Sequence, residues 1–530
     1  MTITKMSWRP QYRSSKFRHV FGKAATKEHC YDGVPITRSV QDNHFCAVNP
    51  RFIAVITECA GGGAFLIISI HHTGKVDPHH PRVTGHRGNV LDIKWNPFND
   101  LCIASCSEDC TVKIWDIPKQ GVLRNLTVPQ KDLQGHSRRV GLIEWHPTAK
   151  NVLFSTAYDY KVMIWNLDCP EKVIKNPVKT ISIHTDVVLS MSFNTNGSLL
   201  ATSSKDRKIR VIDPRSGAVQ QETNYKSHKV NKVLFLGNLK MIVSTGTSQW
   251  NNKQFALWDP EDLSVPLVED NMDGSSGVLF PFYDPDTHML YLAGKGDGNI
   301  RYYELSPEKP YMHFLTEHRS ILPQKGMGIM PKRGLDVSSC EVFRFYKLVT
   351  IKSLIEPLSM IVPRRSESYQ EDIYPMTAGN QSALTAAQWF AGLDKDPVLI
   401  SLKPGCKAVE AYPDSTTGND FSSSLDTRRV QSRPGLQQLA FIEEKSLETK
   451  EGKEPKTFND SIQDKCQTTV SNGCDPLQCS PPKTENELVQ AFHRQQQEIR
   501  SLEEILVQRD LRITQLEFEI RNLRNSHTST

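Results

Sequence analysis

The chain has 530 residues, of which 38% are hydrophobic and 23% are charged, and its formal net charge is +5. This length exceeds one ordinary hydrophobic core, so we expect several domains or a large repeat architecture. No run of about eighteen apolar residues occurs, which predicts no transmembrane helix, and the small net charge does not favour a nucleic-acid partner. No secretory signal is recognisable, so the 12 cysteines are expected to be reduced in the cytoplasm.

The first thirty residues are basic: they contain seven lysines and arginines against one acidic residue, Glu28. The segment "SKFRHVFG" (15–22) alternates like a β-strand. Such a basic segment attracts an acidic polymer or a membrane surface, and a merely solvated edge is an equally good interpretation of the charge.

A sequence unit recurs along the chain. His86 precedes Trp115 by 29 positions, and His136 precedes Trp165 by the same 29. Units of this kind lie near 85–117, 135–167, 184–213, 228–259 and 277–305. Each alternates short strand-like segments with turn residues, as in a four-stranded propeller blade. Repetition argues for a structural unit, because catalytic constellations do not recur along a chain in this way.

The polar residues of the repeat are expected to form an internal hydrogen-bonded brace in which indole, hydroxyl, imidazole and carboxylate follow one another. In the first two units the brace residues are His86, Ser105, Asp109, Trp115, His136, Ser155, Asp159 and Trp165. The third unit has Ile212 in place of the tryptophan, so we expect an incomplete brace and an exposed His184. Cys106 and Cys110 have no counterparts in the other units, which argues against a metal site.

Two further blades bring the count to seven. The segments 44–70 and 340–363 have strand rhythm without the repeat signature. The sequence therefore predicts an all-β fold, a seven-bladed WD-repeat β-propeller over residues 1–362. The strand-like segment at 15–22 is then available to complete the last blade and close the ring.

The composition changes after the propeller. Residues 363–403 form an extension, and residues 404–482 are poor in apolar side chains and rich in Ser, Thr, Lys, Glu and Pro, which is typical of a disordered linker. Thr484 and Glu487 form a capping-box pattern that begins a helix, and heptads follow over 483–526. This pattern predicts a C-terminal α-helical coiled coil.

The predicted oligomerisation seam consists of apolar heptad positions and the charges beside them. Its residues are Ile499, Leu502, Leu506, Arg512, Ile513, Leu516, Glu517, Ile520 and Leu523. Ile at one seam position and Leu at the other favours a dimer, although the spacing of Arg512 and Glu517 can override that preference.

Specific motifs extend the comparison beyond generic repeats. "SKFRHVFGK", "GHRGNVLDIKWNP", "MPKRGLDVS" and "PRRSESYQEDIYP" resemble the coronin family, and within it the short type-2 coronins. The resemblance covers the propeller, the extension and the coiled coil. It implies a non-enzymatic protein that binds actin filaments, is cytoplasmic and associated with the cytoskeleton, needs no cofactor or metal, and packs 363–403 on the propeller. Arg512, Ile513, Leu516 and Glu517 are similar to the trimer pattern of coronin coils, so the resemblance favours a trimer.

The resemblance also directs attention to basic residues. Where filament-binding coronins carry a basic residue after "HCYDG", this chain has Pro35. Candidate actin contacts are therefore Lys16, Arg18, Arg38, Arg364 and Arg365, each of which can equally be a solvated or ion-paired surface residue. Actin-regulatory or adhesion proteins are further candidate partners.

Two other classes of function stay open at this point. The first is a scaffold for a signalling or transcriptional complex in which actin binding is incidental. The second is an enzyme, which is disfavoured because the sequence contains no phosphate-binding loop, nucleophile elbow or metal-ligand spacing.

Overall fold

The computed structural model describes residues 14–405 except 59–62, 225–227, 249–251, 273–276 and 367, and it also describes Gln497. The described chain forms seven sheets of four to six strands, in which the main strands of each sheet pair antiparallel, and one separate two-stranded sheet, so the expected seven-bladed propeller is confirmed. The predicted coiled coil and the linker from 406 onward lie outside the described residues, apart from Gln497.

Each blade is a meander that starts at the propeller axis and ends at the rim. In blades 1 to 3, short apolar strands alternate with turns. Blade 1 contains Cys46–Val48, Phe52–Ile56, Ala64–Ser69 and Arg82–Thr84. Blade 2 contains Val90–Asn96, Asn99–Ser107, Val112–Asp116 and Lys131–Leu133, with Val173–Ile174 added at its outer edge. Blade 3 contains Val140–Trp145, Val152–Ala157, Val162–Asn166 and Lys179–Ile181.

Blades 4 to 6 repeat this order. Blade 4 contains Val188–Phe193, Leu200–Ser204, Lys208–Ile212 and Val219–Asn224. Blade 5 contains His228–Phe235, Ile242–Ser248, Lys253–Trp258 and Val268–Met272. Blade 6 contains Leu279–Asp284, Met289–Gly294, Ile300–Leu305 and Met312–His318. Short 3-10 helices span Lys27–His29, Gly237–Leu239, Lys332–Gly334, Val337–Ser339 and Thr350–Lys352.

Blade 7 joins the two ends of the propeller sequence. Its three inner strands are Gly326–Ile329, Glu341–Val349 and Leu354–Ile361. The fourth is the N-terminal strand Phe21–Ala24, which pairs antiparallel with Leu354–Ile361 in the register Phe21 to Ile361. Tyr31–Asp32 and Gly74–Lys75 continue this sheet. The N-terminal strand therefore closes the ring non-covalently, as predicted, although it spans Phe21–Ala24 and not 15–22, whose first six residues lie before it in bends and turns.

The two edges of the propeller are distinct. We call the edge at which the innermost strands begin the upper edge, and the opposite one the lower edge. The histidines of the repeat lie just before the innermost strands and are at the upper edge. Leu354–Ile361 runs in the same direction as the innermost strand of its blade, so it ends at the lower edge. The segment 14–20 therefore leads into the lower edge at Phe21, and the segment 363–405 starts from that same edge.

The core lies between neighbouring blades. Phe52, Ile67 and Trp115 belong to one buried cluster shared by blades 7, 1 and 2. The indole N–H groups of Trp95 and Trp145 each donate to a carbonyl on the preceding blade, Ala47 O and Lys94 O, at 3.1 Å. Equivalent tryptophans of successive units thus connect each blade to the one before it.

The extension contains one short helix, Ala386–Phe390, and the strand pair Thr377–Ala378 and Leu399–Ile400. Thr385 caps the helix, because its hydroxyl accepts a hydrogen bond from the Gln388 N–H and the Gln388 side chain accepts one from the Thr385 N–H.

Candidate functional site

The brace of blade 2 is a continuous hydrogen-bonded chain. The Trp115 indole N–H donates to Ser105 Oγ at 2.8 Å, and Ser105 Oγ lies 2.8 Å from His86 Nε2. His86 Nδ1 lies 2.9 Å from an Asp109 carboxylate oxygen. Because the serine oxygen accepts from the indole, its proton is available to His86 Nε2, so the imidazole donates from Nδ1 to the aspartate.

Blade 3 has the same geometry. Trp165 Nε1 to Ser155 Oγ is 2.8 Å, Ser155 Oγ to His136 Nε2 is 2.8 Å, and His136 Nδ1 to Asp159 is 2.9 Å. In both blades the glycine before the histidine lies against the tryptophan ring. A Cβ on Gly135 would approach Trp165 Cη2 to 2.8 Å. The glycine before each histidine therefore allows the backbone to pack directly against the tryptophan ring of the brace.

Blade 4 departs from the expectation. His184 is buried, with 6% of its surface exposed, so the prediction that it is exposed is wrong. Its Nε2 contacts Thr202 Oγ1 at 3.0 Å, but among the residues that the structure describes its Nδ1 has no hydrogen-bond partner. Asp206 is engaged instead by the buried Arg210 at 2.8 Å. Arg210 thus takes the place of the imidazole, and burial together with the charge of Arg210 lowers the pKa of His184 to about 4.

The later blades keep fragments of the brace. In blade 5 the Trp258 indole still donates to Ser244 Oγ at 2.8 Å, although the carboxylate position is lost. In blade 6, Asp297 accepts a hydrogen bond from the Asn299 N–H and orders a turn. The complete four-residue brace is found in blades 2 and 3, where the sequence signature is also complete.

The serine, histidine and aspartate of each brace have the connectivity of a hydrolase triad, so access decides what they can do. Ser105 and Ser155 are fully buried, and each hydroxyl oxygen already accepts from an indole. The side chains of His86 and Asp109 are 1% and 9% exposed. A nucleophile needs an open path to its substrate, and these hydroxyls have none.

The aspartates of the braces are strongly stabilised as anions. Burial by itself would raise the pKa of Asp109, but the hydrogen bonds from His86 and from the Arg87 N–H hold it well below its usual range. The pKa of Asp159 is lowered in the same way by His136. Both carboxylates therefore remain ionised at physiological pH and lock the turn above them.

No metal centre is seen in the described part of the chain. No group of three or more His, Cys, Asp or Glu side chains lies close enough to hold a metal ion among those residues. The seven cysteines that the structure describes are all free, and Cys102 and Cys106 are buried. Within the same ranges, no helix is long and apolar enough to cross a membrane.

The predicted actin contacts divide between the two edges. Four of them, Lys16, Arg18, Arg364 and Arg365, lie together at the lower edge of blade 7, because the pairing of Phe21–Ala24 with Leu354–Ile361 brings both segments to the same place. We call these four residues the lower basic patch. Arg38 precedes the innermost strand of blade 1 and lies at the upper edge, as does Pro35.

Internal contacts fix part of the lower basic patch. Lys16 Nζ donates to the Asp372 carbonyl at 3.0 Å, and Arg364 bonds the Asp372 carboxylate at 3.0 Å. Phe17 is buried, so Lys16 and Arg18 are held on either side of it at the surface. Arg365 is exposed. The patch is thus anchored by the fold, with Lys16, Arg18 and Arg365 exposed and Arg364 half-buried.

The extension is seated on the lower edge of blades 3 and 4. Trp389 is fully buried, and its ring centroid lies 4.7 Å from that of His146. Arg215 donates to the Trp389 carbonyl at 2.8 Å and forms an ion pair with Asp394. The Arg215 guanidinium also lies 4.9 Å from the centroid of the Trp389 ring. The tilted ring contact with His146 and the cation–π and ionic contacts of Arg215 therefore hold the extension on the propeller.

Sequence reasoning missed the charged axis of the propeller. A cavity of about 320 Å³ lies between the innermost strands and is lined by Asp92, Lys94, Glu144 and Lys232 among others. Lys94 and Glu144 form an ion pair at 2.7 Å. Burial raises the pKa of Asp92 to about 6 and lowers that of Lys232 to about 8. The alternation of the innermost strands places these residues inward, a signal that becomes readable only when the strand order is known.

The geometry defines a class: a closed propeller of WD repeats whose recurring polar sets are internal and whose outer surfaces are exposed. Comparison with known proteins agrees. The model described as "WD domain, G-beta repeat" matches residues 79–116, 127–166 and 175–213. A "Type of WD40 repeat" matches 355–397, and a "Domain of unknown function (DUF1899)" matches 10–75.

Full-length relatives specify the family. The chain is 64% identical to coronin-2A of Homo sapiens over 527 residues, which are 98% of this chain and 99% of that protein. It is 60% identical to coronin-2B of Homo sapiens over 526 residues, 99% of each chain. The solved WD40 domain of Toxoplasma gondii coronin matches with a TM-score of 0.67 and 27% identity, covering 73% of this chain and 98% of that one. This chain belongs to the coronin family.

Proposed function

We propose that this protein is a non-enzymatic actin-filament-binding protein that reorganises actin structures and gains avidity by oligomerising through residues 483–526. Membership of the coronin family supports the proposal, and so does the lower basic patch. The observation that carries it is the pairing of Phe21–Ala24 with Leu354–Ile361, which gathers four basic side chains from the two ends of the propeller sequence. Polymers of acidic character are attracted to such a concentration of positive charge.

The strength of one such patch is limited. Exposed ion pairs contribute about 0.2–1 kcal/mol each, and Lys16 and Arg364 are already partly satisfied by Asp372. A single propeller should therefore bind a filament weakly. A filament presents many equivalent sites, and linking two or three propellers raises the apparent affinity about 10²–10⁴-fold without any new contact. The coiled coil predicted at 483–526, with a trimer favoured over a dimer, supplies that linkage in this proposal.

The absence of an accessible nucleophile in the braces supports the non-enzymatic part of the proposal. The two complete His–Ser–Asp sets are buried, and their hydroxyl oxygens are already used by indole N–H groups. We infer that these residues are structural braces, and that the outer surfaces carry the function.

The test is co-sedimentation of the full-length protein with actin filaments. We expect binding to weaken as salt rises, to fall strongly in a charge-reversed Lys16→Glu/Arg365→Glu variant, and to fall in a variant lacking 483–526. The matched control is Lys119→Glu/Lys150→Glu, which reverses two exposed lysines on the lower edge of blades 2 and 3. If the patch variant and the control pellet equally, the lower basic patch is not the filament contact. If deletion of 483–526 leaves the apparent affinity unchanged, the avidity mechanism is wrong.

A further inference from the structure

A second basic surface lies on the opposite side of the ring, at the upper edge of blades 2, 3 and 4. Cationic residues follow the histidine in blades 2 and 3, and they lie in the turn that holds the repeat aspartate in blades 3 and 4. All six of these side chains are exposed, and we call them the upper basic surface: Arg87, Arg138, Arg139, Lys161, Lys205 and Arg207. None of the sequence patterns considered above singles out this group, because its members become neighbours only through the stacking of blades.

The three repeat aspartates of these turns face inward. The side chains of Asp109, Asp159 and Asp206 are 9%, 5% and 6% exposed, because His86, His136 and Arg210 bind them from inside. Among the described residues, five members of the upper basic surface form no salt bridge, and the sixth, Arg139, lies 4.0 Å from Glu108. The three repeat aspartates are thus withdrawn from this surface, and the six cations remain exposed.

A concave site lies within this surface. An open cavity of about 690 Å³ is lined by Arg138, Arg139, Lys161, Tyr158 and Tyr160, and also by Asp159, whose side chain is 5% exposed and bound by His136. The Arg139 guanidinium stacks on the Tyr158 ring at 3.8 Å from its centroid, which holds its donors in a fixed orientation. Tyr160 is 41% exposed. Arginine donors held in this way can bind a carboxylate in a bidentate manner. The neighbouring aromatic rings can pack against the aliphatic part of a bound glutamate or aspartate side chain.

We propose that the upper basic surface binds an acidic peptide segment of a protein partner, with one glutamate or aspartate side chain seated between Arg138, Arg139 and Lys161. The partner is separate from whatever binds the lower basic patch, because the two surfaces lie on opposite edges of the ring. A peptide fits the site better than a nucleic acid does. Glu108 and Asp186 interrupt the cations, and they would repel a continuous phosphate backbone, whereas a peptide can place neutral residues opposite them.

The test uses fluorescence anisotropy with the full-length protein and a fluorescein-labelled peptide in which six glutamates alternate with glycine and serine. The matched peptide has glutamine at the same six positions. We expect the glutamate peptide to bind in a salt-dependent manner and the glutamine peptide not to bind. In an Arg138→Glu/Lys161→Glu variant the affinity should fall roughly 30-fold, since two attractions are replaced by two repulsions. The Lys119→Glu/Lys150→Glu variant, with the same change in net charge, should bind like the unmodified protein.

Three results would overturn the proposal. The first is equal binding of the two peptides, and the second is an equal loss of binding in the control variant, which would show attraction by net charge only. The third is tighter binding of a single-stranded oligonucleotide of matched charge than of the glutamate peptide. Filament co-sedimentation of Arg138→Glu/Lys161→Glu separates this inference from the proposed function. We expect that variant to pellet normally, and a loss of pelleting without peptide binding would assign the upper surface to the filament instead.

Discussion

Replacement of Ser155 by alanine tests whether the internal polar sets stabilise the blades. Ser155 Oγ is fully buried and contacts both Trp165 Nε1 and His136 Nε2 at 2.8 Å. Alanine leaves the indole N–H and the imidazole nitrogen buried without partners. At about 1–2 kcal/mol for each group, the expected loss of local stability is about 2–4 kcal/mol.

The measurement should be local, because a ring of seven blades need not unfold in one step. Native-state hydrogen exchange of the strand Val162–Asn166 reports the opening free energy of blade 3. A loss of about 2–4 kcal/mol corresponds to exchange that is roughly 30- to 700-fold faster. Ser105→Ala should produce the same acceleration in Val112–Asp116 of blade 2 and leave blade 3 much less affected.

The control is Ser339→Ala, which removes an exposed hydroxyl with one hydrogen bond to the Asp336 carbonyl. Its effect should stay within about 0.5 kcal/mol. If Ser155→Ala accelerates exchange no more than this control does, the hydrogen-bonded sets are not braces. The triad-like connectivity of His136, Ser155 and Asp159 would then need another explanation.

Three further predictions follow from the same contacts. Burial lowers the pKa of His184 to about 4, below its unfolded value of about 6.5, so the unfolded state gains a proton first and stability falls as pH drops from about 6.5 to 4. By pH 5 the free energy of unfolding, measured by urea denaturation, should have fallen by about 2 kcal/mol less in His184→Gln than in the unmodified protein. An identical pH dependence of the two proteins would contradict a neutral buried imidazole. Trp389→Ala should cost about 3–5 kcal/mol in the seating of the extension and speed proteolysis of residues 377–400, whereas uniform resistance would show that stacking on His146 is dispensable. Deleting residues 1–25 removes the closing strand and should lower the melting temperature, and an undiminished value would argue against closure by Phe21–Ala24.

Much of the ring was predictable because its information is local and repeated. The 29-residue interval from His86 to Trp115 recurs from His136 to Trp165, and the structure places both sets in the same geometry. The closing role predicted for the N-terminal segment is confirmed, but the strand itself is Phe21–Ala24 and residues 15–20 lie before it in bends and turns. Such features depend on residue type and spacing along the chain, which the sequence displays directly.

The error at His184 has an equally clear reason. The prediction assumed that a histidine without its tryptophan would be left at the surface. In the fold, Arg210 lies on the strand Lys208–Ile212 and forms an ion pair with Asp206, and His184 remains buried. Comparing equivalent positions of the repeats does not reveal that a residue at a different position, Arg210, replaces the histidine as the partner of Asp206.

The sequence by itself determined the number of blades, the internal brace of blades 2 and 3 and the strand that closes the ring, because periodic burial and hydrogen bonding are encoded in short segments. Only the tertiary structure decided which charges share a surface. It gathered Lys16 with Arg364 at the lower edge, put Arg38 on the other side, and assembled six cations above blades 2 to 4. Electrostatic interactions depend on distance in three dimensions, and residues hundreds of positions apart in the sequence become neighbours only when the ring closes.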